Sequence, residues 1–133
     1  MANKTITIVS VIDVVSALAD GSLNKNIYLL DNNKAGGSTG EGTDVLFSKA
    51  KQGDTLVWSV MPIEPEVYVG ITDILIDKEY CDAEKKLYEG TDISYWTGTI
   101  KKEITNLQYQ VKYKVGTREG DFSWDLTLVG TSV

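Results

Sequence analysis

The chain contains no histidine, and that absence closes more chemistry than any residue present opens. Without an imidazole there is no Ser-His-Asp or Cys-His nucleophile system, no histidine-containing zinc site and no ordinary proton shuttle at neutral pH. A single cysteine, Cys81, excludes an internal disulfide and agrees with a reducing compartment. Its one covalent option is a surface bridge to a second copy. It follows Tyr80 in a charged stretch with no base beside it, so a reactive thiol is not expected. No apolar run approaches the ~20 residues of a membrane span. Met1-Ala2-Asn3-Lys4 leads straight into a strand-like segment without the apolar core of a signal peptide, so a soluble, cytoplasmic protein is expected. Basic clusters are scarce too. With 13 Lys and Arg against 19 Asp and Glu the net charge is −6, and only Lys85-Lys86 and Lys101-Lys102 stand as pairs. That is too little to displace counterions from phosphates, so neither nucleic acid nor an anionic membrane is an expected partner.

What the chain has is alternation. Leu107, Tyr109, Val111, Tyr113 and Val115 alternate with Gln108, Gln110, Lys112 and Lys114, and Phe122, Trp124, Leu126 and Leu128 alternate with Ser123, Asp125 and Thr127. A period of two puts one set of side chains on a dry face and the other in water, which is antiparallel β structure, and Gly116 to Gly120 is the natural hairpin connector. Further strands are predicted at Thr5–Val11, Asn26–Leu30, Val45–Lys49, Thr55–Met61, Val67–Ile76 and Ile93–Ile100. Asp13 is placed to cap a short helical turn that Gly21 ends. Pro62 and Pro65 remove backbone donors, which marks an edge or a crossover between sheets. The charged stretch from Asp77 to Gly90 has room for a helical turn but lacks the apolar residues to anchor a long helix. At 133 residues and 42% hydrophobic content the chain is expected to be one domain with its own core. The expected fold is an all-β antiparallel sandwich of about eight strands, with a closed barrel as the alternative topology.

Candidate sites are few. Gly36, Gly37, Gly40 and Gly42 suggest a phosphate cradle, but Glu41 sits among them, no lysine followed by Ser or Thr opens a helix, and a strand comes next. A flexible surface loop is the default reading. Asp20, Ser22, Asn24 and Asp31 have the spacing of a calcium loop, with Lys25 where such a loop has glycine. Glu64 with Glu66, or Asp121 with Asp125, would be the paired carboxylates of a glycosidase if they faced each other across a cleft. Trp58 and Trp124 share faces with Leu and Val and belong to the core, whereas the face of Trp96 is ambiguous. Asp31, Asn32 and Asn33 at a sheet edge, with Trp96 stacking on a sugar ring, form the candidate ligand site of a lectin-like module that binds a glycan. No catalytic residue, cofactor or metal is expected.

The order of three segments carries a family resemblance. Ile6 to Leu18 near the start, with its Val11-Ile12-Asp13-Val14-Val15-Ser16-Ala17-Leu18, Leu46 to Trp58 in the middle, and Tyr109 to Val115 followed by Phe122-Ser123-Trp124-Asp125-Leu126-Thr127 at the end resemble the bacterial inclusion-body protein family that includes PixA and AidA. Leu126 departs from the Pro that members often carry after the Trp-Asp pair. The resemblance implies a non-enzymatic cytoplasmic bacterial protein that associates with itself. In some members that means crystalline inclusions, and in others expression linked to cell density and host colonisation. It supplies no catalytic residue and no cofactor.

Overall fold

A computed structural model describes residues 3–64, 67–91 and 93–130, the side chains of 119–121 excepted. The elements are β1 (Thr5–Ile12), α1 (Val14–Asp20), β2 (Ile27–Asp31), β3 (Phe47–Ala50), β4 (Thr55–Pro62), β5 (Val69–Leu75), β6 (Glu84–Leu87), β7 (Ser94–Thr99), β8 (Asn106–Val115) and β9 (Arg118–Gly130). They form a five-stranded sheet in the order β2-β1-β4-β7-β6 and a four-stranded sheet in the order β3-β9-β8-β5. The sandwich expected from alternation is present. Each sheet nevertheless holds one parallel pair, β1 with β4 and β3 with β9. A period of two reports which face a residue occupies and carries no information on strand direction, so the mixed character was not visible in the pattern.

The short helix closes one end of the sandwich. Asp13 accepts a hydrogen bond from the Ser16 amide at 3.2 Å, and Gly21 ends the helix at φ 67° with its amide bonded to Ala17. Seven residues are too few to be helical alone. Burial of Val14 and Ala17 supplies the rest, and the Glu64 carboxylate accepts the Val14 amide at 2.9 Å. Pro62 ends β4, a central strand rather than an edge. Its missing N–H costs nothing there, because the pairing of β7 with β4 covers only Thr55 to Trp58, and the chain then crosses to β5 in the other sheet. Pro65 lies outside the described residues.

The segment from Asp77 to Gly90 makes a single turn, in which the Tyr80 and Cys81 amides both bond to the Asp77 carbonyl. It then forms β6, which no sequence pattern announces because all four of its residues are exposed. The hairpin turns on Gly116 at φ 61°, with Val115 opposite Arg118.

The core is tied across the layers by polar atoms as well as by packing. The Trp58 indole donates to the Tyr109 hydroxyl at 2.9 Å, and the Ser10 and Tyr113 hydroxyls share a bond of 2.6 Å. Each link joins the five-stranded sheet to β8. Buried polar atoms must be paired, so these bonds fix the register of one layer on the other.

Candidate functional site

Strand register places the predicted site residues. Asp31 lies opposite Ile8, Ile8 beside Trp58, and Trp58 beside Trp96, so one row runs across the inner face of the five-stranded sheet. Lys85 on β6 continues the row past Trp96, and Asp31 and Trp96 stand three strand spacings or roughly 14 Å apart. The structure therefore does not bring the Asx triplet and Trp96 together.

The triplet is occupied with holding a loop. Asp31 accepts the Asn33 amide at 2.9 Å and the Ser48 hydroxyl at 2.7 Å. Asn32 accepts the Thr7 amide, and Asn33 donates to the Lys49 carbonyl while accepting from the Lys4 ammonium. The glycine-rich loop, read from sequence as flexible, is laid along two strands. Thr39 exchanges two backbone bonds with Phe47, Leu29 bonds Thr43, and the Glu41 carboxylate accepts the Asp31 amide at 2.8 Å. The other Glu41 oxygen is buried with no partner. Burial, and then the Asp31 carboxyl beside it, raise the Glu41 pKa above its ordinary value, which Lys34 only partly offsets. No helix follows the glycines, so they make no phosphate cradle.

Other candidates resolve into structural roles. Asp20 accepts from the Asn26 side chain, Ser22 accepts the Asn24 amide, and β2 cuts across the calcium-like spacing. Glu64 caps α1, while Glu66 and the side chain of Asp121 lie outside the described residues. Asp125 is exposed on the outer face of the hairpin. Cys81 is fully buried, which rules out the surface bridge, and burial pushes its thiol up to about 11. All three indoles donate: Trp58 to Tyr109, Trp124 to the Asp44 carbonyl at 2.7 Å, and Trp96 to the Ile71 carbonyl at 3.2 Å. The ambiguous Trp96 is half-buried. It lines a cavity of about 210 Å³ between β5 and β7 with Val60, Tyr68, Val69, Gly70, Ile71, Ile93 and Ser94.

The two outer faces differ in kind. That of the four-stranded sheet carries Gln108, Gln110, Lys112, Lys114, Ser123 and Asp125 along its two central strands, with Phe47 and Leu75 exposed on the edge strands β3 and β5. That of the five-stranded sheet carries Val9 and Val11 on β1, Tyr28 and Leu30 on β2, Val57, Ser59 and Met61 on β4, Tyr95 on β7, and threonines. Its charges are confined to Glu84 and Lys86 on the edge strand β6, which pair with each other at 3.6 Å. Exposed apolar side chains that share one face mark a contact surface. Sequence reading missed this face, although β1 announced it: Thr-Ile-Thr-Ile-Val-Ser-Val-Ile has no charge on either side, the mark of a strand covered twice.

Residues 4–120 match the family described as a domain of unknown function, DUF8788. The chain belongs to that family. No curated protein matches it. Its fold is similar to the crystal structure of an inclusion body protein, PixA, from Burkholderia cenocepacia J2315, with a TM-score of 0.75 over 98% of this chain and 97% of that one at 16% identity. The resemblance read in three sequence segments is thus met by the fold. Among the described residues no helix is long and apolar enough to cross a membrane.

Proposed function

We propose that this is a non-enzymatic protein that associates with itself through the outer face of its five-stranded sheet. The observation that carries the reading is the stretch of that face on β2, β1, β4 and β7, which bears no charge, with Leu30 and Met61 exposed at 37% and 51%. A two-fold axis through such a face brings apolar residues onto apolar residues with no like charges to oppose, so a second copy is its natural occupant. Strands β2, β1, β4 and β7, with 5, 8, 8 and 6 residues at about 3.3 Å each and about 4.8 Å apart, give a footprint of roughly 430 Å². Two copies then bury on the order of 900 Å², the size of a weak interface that forms at high protein concentration. Edge pairing is the poorer route, because the described edges are guarded. Lys85 and Lys86 lie on β6, a bulge interrupts β5, and the loop at Thr39 and Thr43 covers β3 and β2.

A non-catalytic role is supported by the lack of histidine and the burial of the one thiol. The inclusion-body protein of like fold lends support to storage as ordered inclusions, which would grow once dimers make a second contact. The reading includes a cytoplasmic address, which a reduced, buried Cys81 accommodates.

Sedimentation velocity from micromolar to millimolar protein tests it. The wild type is expected to move from monomer to dimer, and Leu30→Lys with Met61→Lys is expected to remain monomeric with an unchanged circular dichroism spectrum. A wild type that stays monomeric throughout, or a folded double variant that dimerises equally well, would overturn it.

A further inference from the structure

We propose that the cavity beside Trp96 binds a single neutral hydroxylated ring, such as one monosaccharide unit. The site is independent of the self-associating face and excludes the Asx triplet. Its volume of about 210 Å³ is below the ~300 Å³ at which pockets for drug-sized ligands begin, so one ring fits and a longer ligand must leave it for solvent.

The lining specifies the chemistry. Among the described residues no charged side chain borders the cavity, so nothing there compensates a charged ligand for lost hydration. The polar edge of the Trp96 indole is already bonded to Ile71, which holds the ring still and leaves its apolar surface to the cavity. Tyr68 also borders the cavity, with its ring over Gly70 on the outer side of β5, where Lys114 lies opposite Gly70 and 5.8 Å from the ring centre. A ring with C–H groups on its faces suits contact with such aromatics. The hydroxyls of Ser94 and Tyr68 have no hydrogen-bond partner among the described residues, so each is free to bond hydroxyls on the rim of a ligand.

Glycine at position 70 keeps this arrangement open. A Cβ there would sit 2.5 Å from the Tyr68 hydroxyl oxygen, so the Tyr68 ring lies over Gly70 only because no side chain is present. Gly70 has no positive φ to require glycine.

The experiment uses the three indole N–H signals of the full-length protein in ¹⁵N NMR, assigned through Trp96→Phe. The probes are glucose, galactose, mannose, fucose and N-acetylglucosamine, each titrated separately. The expected result is a saturable shift of the Trp96 signal by at least one sugar, with the Trp58 and Trp124 signals unmoved. Tyr68→Ala and Gly70→Ala should each weaken binding about tenfold, as loss of one ring contact implies. No saturable shift with any sugar would overturn the proposal. So would equal shifts of all three indoles, affinity unchanged in both variants, or saturation by phenol with no response to any sugar. Dimerisation is read separately by sedimentation, so either idea can fail alone.

Discussion

At the scale of single residues, Glu41 shows how a side chain can be both a fastener and a burden. One oxygen holds the Asp31 amide, while the other is buried unpaired next to the Asp31 carboxyl. Its folded pKa is raised above the ordinary 4.5, first by burial and then by Asp31. Between those two values this carboxyl binds more protons in the folded chain than in the unfolded one, so its contribution to stability is full below the ordinary value and is lost as pH rises through the folded value. Glu41→Gln keeps an acceptor for the Asp31 amide and removes the charge. At neutral pH the variant should unfold at higher urea than the wild type, and the gap should close as the pH is brought down to 4.5. An advantage that persists unchanged at that pH would show that charge is not the cause. The core tyrosines carry the same sign on the alkaline side, since burial pushes both the Tyr109 and Tyr113 phenols up.

At the scale of elements, the loop between β2 and β3 serves as an edge guard. Gly40 is central to it, with φ at +89° and a position where a Cβ would collide with the Val45 carbonyl oxygen. Gly42 has φ at +81° but open space around it. Backbone strain alone costs about 1 kcal/mol at a left-handed position, and a collision with backbone adds to it. Urea unfolding should therefore place Gly42→Ala about 1 kcal/mol below the wild type and Gly40→Ala roughly 2–3 kcal/mol below it. Equal costs at the two positions would mean the loop shifts freely. The helix was legible down to its caps, because Asp13 and Gly21 act within one turn of the backbone they satisfy. β6 was not legible, since β7 alone holds it in the sheet and its residues have no dry side to reveal a period.

At the scale of the whole molecule, one sheet faces water with lysine, glutamine and aspartate, and the other presents valine, leucine, tyrosine and methionine. An uncharged interface owes little to Coulomb attraction, and added salt screens the general repulsion between two chains of net charge −6. Dimer affinity should accordingly hold or rise when salt is increased. A steep loss of dimer with salt, measured by sedimentation, would point to an ionic contact elsewhere. The chain itself determined which residues are wet and which are dry along each strand, where the hairpin turns and how the helix starts and stops, because those depend on neighbours a few residues away. Only the tertiary structure decided that β1 lies parallel to β4 and that Asp31 and Trp96 stand three strands apart in one row. The same holds for the bare outer face and for the cavity that Tyr68, Gly70 and Ser94 complete around Trp96. These are pairings between distant segments, and alternation assigns a side chain to a face without naming the strand that will lie beside it.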